Sequence, residues 1–285
     1  MFFKYTLPRL IRRFIPTPIF RLMLHQQWFL LSGAETRIPR FAFERYQRTV
    51  LAAGHTLQGK RVMVFGYGGT YVLGCMLLQA GAAHVVLCDK YTSPDDYYNK
   101  NLLPEFSQYL TQNAGRIAPK PEYLTVLRMD VCELAESADF RPVDLIFSSS
   151  VLEHLDDVDH TIQALAAITH PDGLNLHFIN LQDHLFRYPF QMLTYSEESW
   201  RKWLNPPSNL NRFRVPAYLS VFEKHFGHVD SAITQRDLKA FEQIRPDILP
   251  EFLTGDDQVD SATRLQVLAS QPRWGTPPHQ AAPLE

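Results

Sequence analysis

The sequence predicts an α/β fold of the doubly wound class, and three observations carry that expectation. A short apolar run at residues 62–65 ends in the cluster Gly66-Tyr67-Gly68-Gly69, and an apolar helical stretch at 73–80 follows it. After Gly81 a second apolar run, His84-Val85-Val86-Leu87-Cys88, ends in Asp89. Residues without Cβ let the chain turn sharply between strand and helix and bring backbone close to a ligand. A carboxylate at the carboxyl end of the next strand stands where ribose hydroxyls can donate to it. Strand, glycine turn, helix, strand and acid therefore make half of a nucleotide site.

The glycine spacing discriminates between nucleotides. A dinucleotide fingerprint G-x-G-x-x-G anchored on Gly66 and Gly68 requires glycine at position 71, where Tyr71 stands. The later elements follow a different template. Residues 124–131, LTVLRMDV, read as a third strand ending in Asp130; residues 143–155, VDLIFSSSVLEHL, read as a fourth strand with a Glu153-His154 loop. His170-Pro171-Asp172-Gly173 then forms a turn before a fifth strand at 174–181. In this order the elements resemble the class I S-adenosylmethionine-dependent methyltransferases, over residues 59–181. The more distant likeness of residues 183–226 is to bacterial small-molecule methyltransferases found with surface-glycan assembly enzymes.

The resemblance implies a Rossmann-like seven-stranded methyltransferase sheet with an antiparallel edge strand, and S-adenosylmethionine as cofactor. It assigns the glycine turn to Gly66, Gly68 and Gly69, the ribose to Asp89, the adenine amino group to Asp130 with Val131 beside it, and the methionine part to the Ser148-Ser149 loop. Two departures stand out: Val64 occupies the place of the family's acidic residue two positions before the first glycine, and Thr70 that of its third glycine. Two other readings remain open. An NAD-dependent oxidoreductase or epimerase is disfavoured by Tyr71 and by the lack of a well-placed Tyr-x-x-x-Lys pair, whereas a non-catalytic scaffold of the same fold is favoured by Val64 and Thr70.

Composition suits one catalytic domain with elaborations. A chain of 285 residues, 45% of them hydrophobic, can bury a substantial core, and a formal charge of −2 gives no global reason to expect nucleic acid. Cys75, Cys88 and Cys132 fall in or beside apolar elements and read as small core residues in a reducing, cytoplasmic setting. No ligand spacing such as C-x-x-C or H-E-x-x-H occurs, so no metal is expected. Residues 1–57 form an N-terminal extension, 58–270 the catalytic domain with a substrate cap at 182–216 and an insertion at 237–256, and 271–285 a proline-rich disordered tail. Residues 1–34 carry Lys4, Arg9, Arg12, Arg13 and Arg21 with no acid, among aromatic and aliphatic residues. That composition fits lid helices over the cofactor or a peripheral contact with the inner membrane surface; Pro8, Pro16 and Pro18 exclude a spanning helix.

The acceptor chemistry is read from the cap. Methyl transfer from a sulfonium needs alignment, desolvation and, for an alcohol acceptor, a base. His184, which follows the fifth strand, is the first candidate, with Asp183 to orient it if the backbone turns both inward; His154 is the second. Tyr188, Trp200, Asn211, Arg212 and Arg214 are the candidate substrate contacts, the two arginines as a clamp for phosphate or carboxylate. The expected reaction is O-methylation of a small-molecule or lipid-linked glycan.

Overall fold

The computed structural model describes residues 5–7, 9–10, 38–183, 188–205 and 209–273. Seven strands form one sheet: β1 (Arg61–Phe65), β2 (His84–Cys88), β3 (Leu124–Leu127), β4 (Val143–Ser149), β5 (Thr169–Asn180), β6 (Phe226–Arg236) and β7 (Ala262–Pro272). Their spatial order is β3-β2-β1-β4-β5-β7-β6. The first five run parallel, and β7 pairs antiparallel with both β5 and β6. This is the doubly wound sheet with an antiparallel strand near one edge that the sequence predicts. A separate hairpin joins Leu110–Asn113 to Arg116–Pro119.

The strands that read as continuous apolar runs are those covered on both faces, as parallel strands must be. Side chains alternate across β1: Val62 and Val64 pack on one side with α1 (Pro39–Ala52) and α2 (Val72–Gln79), while Met63 and Phe65 pack on the other. That second face is covered by α3 (Val131–Glu136), α4 (Val158–Ala167) and α5 (Val215–His225). Val64 is thus a core residue, registered between Leu87 and Phe147. The switch in strand order lies between β1 and β4, so their carboxyl ends open the crevice where such sheets bind ligands.

Two details differ from the sequence expectation, and a third, the helical insertion interrupted at Pro246, agrees with it. The turn at 170–173 is a bulge inside β5, because Val143 pairs with Thr169 and Leu145 next with Leu174. Strand β7 runs past residue 270 to Pro272, and Arg273 N–H donates to His225 O at 2.8 Å; the rest of the expected tail lies outside the described residues. The insertion forms α6 (Leu238–Ile244) and breaks at Pro246 into a 3-10 turn. Among the described residues no helix is long and apolar enough to cross a membrane.

One polar pair sits inside this core. His177 on β5 is fully buried, its Nδ1 is 2.7 Å from Ser148 Oγ on β4, and its ring lies 5.2 Å from that of Phe222 on α5. Burial lowers its pKa to about 3, so the ring is neutral in the folded protein at any physiological pH. An unfolded histidine titrates near 6.5, so between pH 6.5 and 3 the unfolded chain binds the extra proton. Stability carried by the neutral ring is therefore complete above pH 6.5 and lost as the pH falls. Urea titrations at pH 7 and pH 5 should show a drop in unfolding free energy that is smaller by roughly 2 kcal/mol in His177→Gln than in the wild type. An unchanged drop would mean that the ring is not buried neutral.

Candidate functional site

A cavity of about 610 Å³ opens at the carboxyl ends of β1, β2, β3 and β4. Its wall includes Phe65, Gly66, Gly68, Asp89, Asp130, Val131, Ser149, Ser150, Val151 and His154. Gly66, Gly68 and Gly69 hold φ of +78°, +68° and +85°, the left-handed region that disfavours side chains. A Cβ on Gly66 would lie 2.2 Å from Val151 Cγ2, so glycine here is what lets the β1 turn close against the loop after β4.

The turn is held from outside by Asn99, a residue that sequence reasoning passes over. Its Oδ1 accepts from Tyr71 N–H at 2.9 Å and its Nδ2 donates to Gly69 O at 2.8 Å. Backbone leaving a strand for a helix has no ladder partners, and a buried amide replaces them. Thr70, at the place of the third glycine, is buried and its Oγ1 accepts from Val72 N–H at 3.4 Å. A side chain is accommodated there because the sharp turn is already complete at Gly69.

Asp89 Oδ1 accepts from Tyr91 and Thr92 N–H at 2.9 and 2.8 Å, which fixes the carboxylate at the cavity wall. Asp130 caps α3 through Cys132 N–H at 3.0 Å, and its Oδ2 meets Lys90 Nζ at 2.8 Å. Partial burial opposes its charge, but the Lys90 ammonium and the Cys132 N–H outweigh that and hold the carboxyl below its usual pKa. Ser149 lines the cavity and accepts from Arg45 Nη2 on α1 at 3.1 Å. Ser148, its expected companion, is absent from the wall: strand alternation turns it into the core toward His177.

His154 lies on the 3-10 turn Leu152–His154 at the cavity, with Nδ1 3.3 Å from Asn209 O. A carbonyl only accepts, so this contact makes Nδ1 the donor and leaves the basic lone pair of the neutral ring on Nε2. His184 lies outside the described residues. Asp183 is buried and accepts from the Tyr5 hydroxyl and the Arg9 guanidinium, contacts that sequence reasoning missed. It thereby ties Tyr5 and Arg9 to the cap, where Tyr5 stacks on Tyr195 and lies edge-on to Tyr188, and the Arg9 guanidinium lies 4.7 Å from the Trp200 ring.

A second cavity, of about 950 Å³, lies between residues 197–205, 209–217 and 251–254 and shares Asp156 with the first. Trp200 reaches its wall but is almost wholly buried, and its Nε1 donates to Leu210 O at 3.0 Å. Asn211 also serves backbone: its Nδ2 donates to Leu152 O and Leu155 O at 2.8 and 3.1 Å, and its Oδ1 accepts from Phe213 N–H and the Tyr218 hydroxyl. The expected arginine clamp is not what the structure builds. Arg212 donates to Met192 O and Tyr195 O and pairs with Glu197, while Arg214 donates to Leu181 O, Asp260 O and Ala262 O. Burial lowers Arg214 to a pKa of about 10, against the pull of Asp260, so it remains a cation near neutrality. Among the described residues no group of three or more His, Cys, Asp or Glu is arranged to hold a metal ion.

The parallel sheet, its glycine turn and its acidic strand ends define a doubly wound α/β fold with a crevice of the kind that binds nucleotides. Residues 76–176 match the family model described as a methyltransferase domain, which together with the seven-stranded sheet supports a class I S-adenosylmethionine-dependent methyltransferase fold. The match supports methyl transfer with S-adenosylmethionine as cofactor. No curated protein matches the sequence. Three solved structures among those similar to it are the following. Phosphoethanolamine N-methyltransferase 2 of Haemonchus contortus, in complex with S-adenosyl-L-methionine, is 16% identical at a TM-score of 0.48, over 80% of this chain and 53% of that one. The TehB-like S-adenosylmethionine-dependent methyltransferase of Corynebacterium glutamicum is 15% identical at 0.40, over 84% and 98%. The N-methyltransferase NodS of Bradyrhizobium japonicum is 9% identical at 0.45, over 84% and 99%.

The glycines separate turn from scaffold. Gly66→Ala should abolish measurable binding of S-adenosylhomocysteine by calorimetry, because the new methyl meets Val151 in a left-handed turn. Gly81, at φ +99° and facing Gln58 rather than the cavity, should on replacement by Ala lower the melting temperature while leaving ligand affinity within about twofold.

Proposed function

We propose that the chain methylates a hydroxyl of a neutral small-molecule or lipid-linked glycan, with the cofactor in the first cavity and the acceptor in the second. The observation that carries this reading is the shared wall at Asp156, since methyl donor and acceptor must meet at one point. The first cavity fits the cofactor: Gly66 keeps free the space a Cβ would fill, and Asp89 presents a carboxylate to ribose hydroxyls. On this reading Asp130 and Val131 would meet the adenine and Ser149 the methionine part, and all three line the cavity.

The second cavity suits a sugar better than an anion. Phe213, Phe252 and Leu253 give partly exposed apolar surface on which sugar C–H faces can lie, and Asp156 and Glu251 supply acceptors for hydroxyls. Among the described residues its buried arginines are committed to backbone carbonyls and Glu197, and Arg201 pairs with Glu197, which leaves a phosphate no ready clamp.

When bound, S-adenosylmethionine supplies an electrophilic methyl group. The chain's own part is to align the acceptor, exclude water and remove a proton. His154 is positioned for the last task, taking the hydroxyl proton on Nε2 while Nδ1 stays bonded to the Asn209 carbonyl. His184 is the alternative base, and the two are separated by single replacement. His154→Ala should lower kcat by roughly 10²- to 10⁴-fold with cofactor affinity nearly intact. Loss confined to His184→Ala would transfer the role to that residue.

The ribose contact is tested separately. Asp89→Ala should weaken S-adenosylhomocysteine binding by about 1 to 3 kcal/mol in calorimetry; unchanged affinity would remove Asp89 from the site. The substrate class is tested by following S-adenosylhomocysteine release with neutral glycosides, lipid-linked glycans, sugar phosphates and amines offered in parallel. Turnover restricted to phosphorylated or amine acceptors would overturn the O-methylation reading.

A further inference from the structure

The loop after β4 is clasped by the cap. Its four consecutive carbonyls, from Leu152 to Leu155, accept from two asparagines. Asn211 Nδ2 donates to Leu152 O and Leu155 O at 2.8 and 3.1 Å and Asn211 N–H to Glu153 O at 2.9 Å, while Asn209 Nδ2 donates to His154 O at 2.8 Å. The two residues differ in what else they touch. Asn211 makes its remaining bonds within the cap, to Phe213 N–H and the Tyr218 hydroxyl. Asn209 reaches the side chains of the loop: its Nδ2 also donates to Asp156 Oδ1 at 3.1 Å, and its carbonyl faces His154 Nδ1 at 3.3 Å. We propose that Asn209 is a positioning residue for methyl transfer, one that selects the tautomer of His154 and orients the carboxylate of Asp156.

Backbone geometry and position single this residue out. Asn209 has a φ of +43°, in the left-handed region that asparagine is among the few side chains to tolerate. Glycine meets such a turn at the least cost, so the amide must be explained by its bonds rather than by the turn. Asn209 stands on the wall of the second cavity, His154 on that of the first and Asp156 on both. One residue thus joins the acceptor side to the base.

The contacts determine where a proton sits. A carbonyl only accepts, so Asn209 O places the proton of a neutral His154 ring on Nδ1, whereas an imidazole in water favours Nε2. At 3.3 Å this bond is longer than the usual range and does not hold the ring by itself. The two shorter bonds of the Asn209 amide keep the carbonyl opposite the ring. On Asp156 the same amide occupies one oxygen and leaves the second to an acceptor hydroxyl.

This inference rests on the reading that His154 is the base, and its test needs no acceptor. Long-range ¹H–¹⁵N NMR spectra of the S-adenosylhomocysteine complex at pH 8, where an ordinary imidazole is neutral, show which ring nitrogen carries the proton. His154→Gln assigns the signals by their loss. Asn209→Gly keeps the carbonyl and relaxes the turn, while Asn209→Asp tolerates the turn but sets a carboxylate against Asp156; both remove the amide donor. The wild-type ring should carry its proton mainly on Nδ1, and in both variants the Nε2–H form should become the major one. Affinity for S-adenosylhomocysteine should stay within about twofold and the melting temperature of Asn209→Gly within about 4 °C, the scale of one or two exposed hydrogen bonds. An Nε2–H ring in the wild type would overturn the proposal without any variant. So would a tautomer unmoved in Asn209→Gly, or one that shifts only together with loss of cofactor binding, which marks a structural amide. Full turnover in His154→Ala beside the expected tautomer would overturn the base assignment alone.

Discussion

Backbone that leaves a strand loses its ladder partners, and this constraint shapes everything at the carboxyl edge of the sheet. Each buried peptide group there must find another partner or forfeit the hydrogen bond it made in water. The chain answers with side chains. Asn99 holds the turn after β1, Asp89 the turn after β2, Asp130 the start of α3 and Asn211 the loop after β4. Arg212 and Arg214 hold the cap in the same way, each reaching carbonyls far away in sequence. A rigid rim is the result, and two cavities are cut into it.

The same constraint explains which parts of the structure were legible in the sequence. Strands β1 to β5 announce themselves because burial on both faces requires an apolar run, and the turn after β1 because only glycine tolerates its φ. Asp89 and Asp130 were legible for a related reason: a carboxylate at a strand end either binds ligand or caps the next turn, and both residues stand on the cavity wall. Ser148 and Ser149 mark the limit of such reading. Adjacent in sequence and alike in chemistry, they are sent to opposite faces by the pleat, one to His177 and one to Arg45.

The cap was the least legible region, since a polar side chain in a loop shows its type and not its partner. Asn211, Arg212 and Arg214 have the chemistry to grip a substrate, yet their bonds go to backbone. Asp183 looked like the orienting partner of His184 and instead receives Tyr5 and Arg9 from nearly two hundred residues upstream. Nothing local in the sequence distinguishes these outcomes. Asn99 was passed over for the converse reason: it is an ordinary polar residue whose role comes from the turn it holds.

These commitments have a chemical consequence. With the buried arginines bonded to carbonyls and Arg201 paired with Glu197, the ionic groups left on the cap cavity among the described residues are the carboxylates Asp156 and Glu251. Methyl transfer to a neutral hydroxyl disperses the sulfonium's positive charge, and a site that excludes water favours a transition state in which charge is spread. An anionic acceptor would have to approach Asp156 against like charge, whereas a hydroxyl can donate to the same carboxylate and be aligned by it. Alignment by Asp156 and proton removal at His154 would then come from one loop, residues 152–156, which Asn211 anchors at Leu152 and Leu155 and Asn209 at His154 and Asp156. On the proposed reading the amides of the cap would act on the reaction through the backbone they hold.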